Sequence, residues 1–192
     1  AGKIAELAAL VDPHVIRPER LLLDTAGTPV GYTMRFVRDA HALCQLSTRA
    51  FRQRHGVPDE AIVELVRQMR RGVSEAHRRR ILLVDCNETN FAVGDTFREL
   101  YFLDVDSWPT PSYRATALMD SVRDRHAPAG VYTEGTDWFA FAVVTFQLFI
   151  GIHPYKGKHP TLHGIDARMA ANVPVTDPSV GVPKVCWPLH AL

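Results

Sequence analysis

The sequence predicts an α+β fold, and three observations carry that prediction. Residues 20–37 and 91–103 each hold two β-rich segments around a turn, the pattern of a hairpin. Residues 59–77 carry apolar side chains at helical spacing, with Asp59 as a candidate N-cap. A second helix is predicted to open at Thr136–Asp137. Hairpins and long helices in one chain therefore indicate a mixed fold.

The remaining elements are weaker and follow in chain order. A helix is predicted over residues 3–11, and residues 37–43 read as a connecting hinge. The segment 78–85, "RRRILLVD", is expected to enter a short strand. Residues 107–136 are rich in Pro, Ser, Thr and Gly without a sustained period, which predicts a long loop. A short helix is expected over residues 164–171.

Composition describes one domain with a core of its own. The 192 residues are 46% hydrophobic and 22% charged, and the net charge of +1 gives no global attraction to nucleic acid or to an anionic membrane. The three cysteines are widely spaced, which excludes a disulfide framework and predicts a reducing, cytoplasmic setting. No signal peptide pattern opens the sequence. The apolar run 138–152 is shorter than a bilayer span and contains Thr145 and Gln147, so we predict a buried helix.

Three oxygen-bearing side chains flank the second hairpin. Asn90 precedes its first strand, and Asp104 follows its second strand. A hairpin returns its ends to adjacent positions, roughly 5 Å apart, so Asn90 and Asp104 are expected side by side. Asp85 lies on the loop that leads into this hairpin. Oxygen ligands of this kind suit Mg²⁺, which proteins hold with one or two carboxylates and substrate phosphates.

The spacing of these residues matches a known catalytic loop. Asp85 and Asn90 form D-x-x-x-x-N, the spacing in which a kinase Asp accepts a hydroxyl proton and its Asn holds a metal. "LDVDSW" follows where a kinase carries D-F-G, and "TDWFAFAVVTFQLFIGIHPYKG" is similar to the kinase segment in which an Asp opens a buried helix. With the elements in this order, residues 3–170 resemble the protein-kinase-like superfamily, as a bacterial-type Ser/Thr kinase-like domain.

The resemblance implies a fold, a reaction and roles for the polar residues. The fold would be protein-kinase-like, mainly the helical C-lobe with part of the β N-lobe. The reaction would move the γ-phosphoryl group of ATP to a protein Ser/Thr hydroxyl, with Mg²⁺ as cofactor. Asp85 would be the catalytic residue, and Asn90 and Asp104 would hold the metal against the nucleotide, with Asp106 as a further metal ligand. Phe36 and Val37 would lie against the adenine at the hinge.

Departures from the kinase pattern limit what the resemblance implies. The His and Arg before the catalytic Asp are here Leu83 and Val84, and the Gly of D-F-G is Asp106. There is no G-x-G loop, and the phosphate-binding strand Lys is missing, since Lys3 lies in the first predicted helix. We therefore expect a partial N-lobe and hinge over residues 1–42, with the front of that lobe missing. Residues 43–192 would form a C-lobe that is incomplete at its C-terminus.

Other interpretations stay open beside the kinase one. A pseudokinase or scaffold fits the missing Lys and Gly-rich loop, and a small-molecule phosphotransferase of the aminoglycoside-kinase type also uses D-x-x-x-x-N. Asp85 and Asn90 could also be simple turn residues. The Arg clusters near residues 67–80 read as a solvated helix face, which disfavours nucleic acid. The expected partners are ATP, a protein substrate or partner, and the N-lobe segment of the same longer chain, with no membrane.

Overall fold

The computed structural model describes residues 2–115 and 119–182, which contain five helices and five strands. The helices and strands are α1 (Gly2–Leu7), β1 (Pro18–Leu23), β2 (Pro29–Met34), β3 (Ala40–Ala42), α2 (Arg49–His55), α3 (Asp59–Arg78), β4 (Phe91–Gly94), β5 (Leu100–Phe102), α4 (Glu134–Ile150) and α5 (Gly164–Ala170). Short 3₁₀ turns cover Leu43–Ser47, Val105–Ser107 and Asp120–Val122.

Both predicted hairpins are confirmed, and they belong to separate sheets. Strands β1 and β2 form a two-stranded antiparallel sheet, and its turn is closed by Asp24, whose Oδ1 accepts the N–H groups of Ala26 and Thr28 at 2.9 and 2.8 Å. Strands β4 and β5 pair antiparallel, and β3 adds to β4 on the other side. The segment read as a hinge therefore ends in a strand that pairs beside the candidate site.

Helix α3 contributes a continuous stripe of buried side chains to the core, as its periodicity predicts. Its buried side chains lie on one stripe and include Ile62, Leu65, Met69, Val73 and Ala76. Gly72 lies on the same face, where an added Cβ would overlap the Phe102 ring of β5. The small residue lets the helix approach the second hairpin closely and fixes that hairpin against the core.

Helix α4 begins two residues earlier than its pattern predicts. Its N-cap is Thr133, whose side-chain oxygen accepts the N–H of Thr136, while the Thr136 Oγ1 accepts the N–H of Thr133. This reciprocal capping box places the helix start at Glu134 and leaves Asp137 inside the first turn. The helix ends at Gly151, which adopts the left-handed conformation with φ 81°.

Three local predictions are wrong, each for a structural reason. Residues 81–84 form no strand, because the N–H groups of Leu83 and Val84 bond to the Asp137 carboxylate instead of to a neighbouring strand. Asp59 is not an N-cap, because Pro58 holds the cap position and Asp59 is the first helical residue. The first helix ends at Leu7 rather than at residue 11.

The length and apolar character of the described helices can be compared with what a bilayer span requires. Over residues 2–115 and 119–182, no helix combines the length and the apolar character needed to cross a bilayer.

Candidate functional site

The Asp85–Asn90 loop is closed by its own side chains. Asn90 donates its Nδ2 hydrogens to the Asp85 carbonyl at 2.9 Å and to Asp85 Oδ2 at 3.2 Å. Inside the loop, the buried Asn87 accepts the Thr89 N–H at 2.8 Å. The D-x-x-x-x-N spacing thus brings its two ends into direct contact. The second Asp85 oxygen, Oδ1, accepts the backbone N–H of Met119 from the long loop at 2.7 Å.

A buried carboxylate on α4 positions the backbone just before Asp85. Asp137 is 0% exposed and accepts the N–H of Leu83 and of Val84, both at 2.8 Å, and it pairs with His77 Nε2 at 2.9 Å. Val84 has φ 64°, a left-handed conformation that a β-branched residue rarely adopts. The two hydrogen bonds hold this conformation and direct Asp85 toward the hairpin end.

His77 was missed as a member of this anchor, although a signal was present. His77 lies four residues after Val73 on the apolar stripe of α3, so the helical spacing already placed a polar ring on the buried face. A buried polar group needs a partner, and its partner is 60 residues away in the chain. Asp137 thus anchors the backbone of residues 83–84, while the N-cap of its helix is Thr133.

The second hairpin brings Asn90 next to the Asp104 segment. The N–H of Leu103 donates to the Asn90 carbonyl at 2.8 Å, directly beyond the last strand pair, Phe91 with Phe102. Asp104 follows at once and adopts the left-handed conformation with φ 53° and ψ 30°, which Asp tolerates better than most residues. Its side chain is exposed, and within the described part of the chain no protein donor bonds to it.

Asp106 is engaged from the first hairpin. Its Oδ2 accepts the Tyr32 hydroxyl hydrogen at 2.6 Å. This hydrogen bond, together with partial burial and the nearby acidic charges, raises the pKa of Tyr32 to about 12. The two aspartates predicted as metal ligands thus differ. The Asp106 carboxylate is hydrogen-bonded to β2, whereas the Asp104 carboxylate accepts no protein hydrogen bond among the described residues.

The donor set fits a hard cation such as Mg²⁺. Because Asn90 uses its amide hydrogens on Asp85, its Oδ1 is left as a carboxamide acceptor, and the Asn90 backbone pairs with Leu103, the residue before Asp104. In the described ranges, no group of three or more His, Cys, Asp and Glu side chains comes together. Mg²⁺ needs only one or two carboxylates when phosphates complete its shell, so a small donor set is enough for it.

Helix α1 brings a lysine to the same place. The helix packs against the Val105–Ser107 turn, and the half-buried Lys3 projects from its first turn. Partial burial lowers the pKa of Lys3, while the negative charges of Asp106 and Asp104 act in the opposite direction. No local pattern places this lysine beside the acidic residues, because the contact joins segments about 100 positions apart in the chain.

The residues predicted to meet an adenine lie between β2 and β3. Phe36 is 81% exposed, and Val37 is half-buried. A large aromatic side chain that is exposed to this degree is available to stack on a planar ligand. Their predicted role in nucleotide binding stays a prediction.

Comparison with known proteins supports the fold. One solved structure that shares it is that of the Cydia pomonella granulovirus kinase PK-1, with a TM-score of 0.62 and 14% sequence identity. The match covers 89% of this chain and 61% of the viral kinase. No family model and no curated protein matches the sequence.

These findings define the class of fold. The protein has an α+β, protein-kinase-like fold, with the candidate site at the end of its second hairpin. At 14% identity the similarity concerns the fold alone, and the chain spans about three fifths of the viral kinase, 61% of its length.

Proposed function

We propose that this chain is the nucleotide-binding part of a phosphotransferase that moves the γ-phosphoryl group of ATP to a Ser or Thr hydroxyl of a protein. One observation carries the proposal. Asn90 donates its amide hydrogens to Asp85, and its backbone carbonyl accepts the Leu103 N–H, so Asp85, Asn90 and Asp104 all lie at the same end of the second hairpin. Two carboxylates and a carboxamide within one short stretch of backbone are the oxygen groups that a metal-assisted phosphotransferase site needs.

In this proposal each side chain of the site has a separate role in the reaction. The acceptor hydroxyl attacks the γ-phosphorus, the bond between that phosphorus and the β–γ bridging oxygen breaks, and ADP leaves. Asp85 receives the hydroxyl proton. Mg²⁺ would neutralise phosphate charge, and Asn90 and Asp104 are the residues that would hold it. Asp137 acts at a distance, since it orients the backbone of Val84 and so the side chain that follows.

The acceptor hydroxyl would share the Asp85 carboxylate with Met119. Asp85 Oδ1 accepts the Met119 N–H in this structure, and each carboxylate oxygen can accept a further hydrogen bond. Met119 would therefore lie beside the acceptor hydroxyl.

The broader setting is part of the same proposal. The adenine would lie against Phe36 and Val37, where the partial N-lobe, residues 1–42, meets the C-lobe that begins at residue 43. Cys44 and Cys86 are free thiols, which fits the cytoplasm.

A pseudokinase is the second candidate, and a specific observation favours it. The Met119 N–H already occupies one acceptor position of the carboxylate that would receive the proton. Leu83 and Val84 also replace the His and Arg of the kinase pattern. A domain of this kind would still bind Mg-ATP, or hold a partner, without transferring phosphate.

Equilibrium binding of ATP to the 192-residue chain tests the proposal. We expect binding in the presence of Mg²⁺ that is largely lost when EDTA removes the metal. Asp104→Ala should weaken Mg-ATP binding by about 10-fold or more, because a carboxylate ligand to the metal is lost. Asp24→Ala is the matched control, since it removes an exposed carboxylate from the turn of the first hairpin. Equal ATP affinity with and without Mg²⁺, or no binding at all, would contradict the proposed function.

A further inference from the structure

The acidic end of the second hairpin has a positive neighbour on α1. The helix packs against the Val105–Ser107 turn, which lies between Asp104 and Trp108. One turn after Lys3, Glu6 Oε2 accepts the Ser112 N–H at 3.2 Å. These contacts fix the face of α1 that carries Lys3 against the segment with the two aspartates.

The first hairpin closes the other side of the same cluster. Tyr32 donates its hydroxyl hydrogen to Asp106 at 2.6 Å, so β2 and α1 both reach the residues just after β5. The cluster therefore contains one ammonium group, Lys3, and two carboxylates, of which Asp104 has no protein donor among the described residues. A site of this composition can accept a metal together with an anion.

Two arginines near α1 are engaged elsewhere. The Arg35 guanidinium donates to the Pro13 carbonyl and lies 5.6 Å from the centre of the Tyr101 ring. Arg17 donates its Nε hydrogen to the Leu10 carbonyl at 3.0 Å. Lysine itself is scarce, occurring only at positions 3, 156, 158 and 184 of the chain.

We propose that Lys3, on helix α1, is a cation that binds the phosphates of the nucleotide. The proposal rests on the proposed function, because it assigns a residue to the nucleotide of that same site. Lys3 is a binding and positioning residue, and Asp85 remains the residue that accepts the hydroxyl proton.

The charges of the cluster explain why a lysine is needed there. A metal-bound triphosphate brings several negative charges beside two carboxylates, and one divalent cation does not neutralise them. An ammonium group at the half-buried position of Lys3 is only partly hydrated, so its attraction to phosphate oxygen is stronger than at the open surface.

The scarcity of lysine permits a direct test on the wild-type chain. An acyl-phosphate derivative of ATP transfers its acyl group to an amine beside the phosphates. The lysine nitrogen attacks the acyl carbon, an amide bond forms, the acyl–oxygen bond breaks, and the nucleotide leaves with its phosphates. Peptide mapping by mass spectrometry should find Lys3 acylated and protected by excess Mg-ATP. The exposed Lys156 and Lys158 are internal controls that Mg-ATP should not protect.

Binding measurements on variants separate this inference from the proposed function. Lys3→Met should weaken Mg-ATP binding by about 10-fold or more, the effect of one lost charge-assisted hydrogen bond, while adenosine affinity stays within about 2-fold. Lys156→Met removes the same charge from an exposed position and should leave both affinities unchanged. Lys3→Arg should recover part of the Mg-ATP affinity.

The outcomes have distinct meanings. If wild type binds Mg-ATP and Lys3→Met binds it equally well, the inference is overturned and the proposed function stands. If wild type binds no Mg-ATP, the proposed function fails and the inference fails with it. If Lys3→Met does not fold, the acylation experiment decides: labelling of Lys3 that Mg-ATP suppresses supports the inference, and absent or unprotected labelling overturns it.

Discussion

The Asp137 anchor gives the strongest prediction about stability. Its carboxylate is 0% exposed, accepts two backbone N–H groups at 2.8 Å and pairs with His77 at 2.9 Å. Asp137→Ala would leave two buried N–H groups and the His77 ring without their acceptor, in a place that water does not reach. We expect this substitution to destabilise the fold strongly.

The expected size follows from these contacts. An unsatisfied buried polar group costs about 1–3 kcal/mol, and three such groups lose their partner here, although such effects do not simply add. The left-handed conformation of Val84 loses its two supporting hydrogen bonds but keeps its strain, about 1–3 kcal/mol. We therefore expect a loss of about 3–5 kcal/mol, which lowers the melting temperature of a domain of this size by roughly 10 °C or more.

Thermal and urea unfolding, followed by circular dichroism, measure this loss. Asp137→Asn should also destabilise, because its NH₂ group must face one of the donors that now point at a carboxylate oxygen. Glu134→Gln is the control on the same helix: Glu134 lies 3.7 Å from His77 Nδ1, but its side chain is 63% exposed, so we expect a change below about 1 kcal/mol. A melting temperature of Asp137→Ala within about 2 °C of wild type would refute the argument.

Two further predictions concern the catalytic carboxylate and the first hairpin. In the full-length protein, Asp85→Asn should lower phosphoryl transfer by about 10²–10⁴-fold. Met119→Pro should raise phosphoryl transfer, because the substitution removes the N–H that bonds to Asp85, and φ at Met119 is −74°, which proline adopts. Initial rates with radiolabelled ATP measure both substitutions, and a pseudokinase would show no transfer in any variant. The hydrogen bond to Asp106 raises the pKa of Tyr32 from 10.0 to about 12. Because the folded state favours the protonated hydroxyl, this hydrogen bond stabilises the fold fully below pH 10, and the stabilisation is lost as the pH rises toward 12. Tyr32→Phe should therefore be less stable than wild type by under about 1 kcal/mol at neutral pH, a difference that urea unfolding should show disappearing between pH 10 and 12; a constant difference across that window would contradict the assignment.

The parts of the fold that could be predicted are those with local causes. The stripe of α3 follows from its apolar spacing, and the two hairpins follow from β-rich segments around short turns. The strand predicted at residues 81–84 fails because its N–H groups bond to Asp137, 53 and 54 residues later in the chain. β-propensity describes the apolar side chains of Ile81 and Leu83 correctly, since both are buried, but it carries no information about where the backbone donors go.

The candidate site also combines a contact that local spacing predicts with a contact that depends on the tertiary fold. Asn90 bonds to Asp85 across five residues, so the spacing of the motif contains that contact. Met119 bonds to the other oxygen of the same carboxylate across 34 residues, through a loop with no periodic pattern, and no local rule connects them. One carboxylate thus has a contact that the motif predicts and a contact that only the tertiary fold supplies. The first contact needs only the motif spacing, which the kinase and the pseudokinase interpretations share, so the motif alone does not separate them. The second contact bears on that choice, because Met119 lies beside the carboxylate that an acceptor hydroxyl would have to reach.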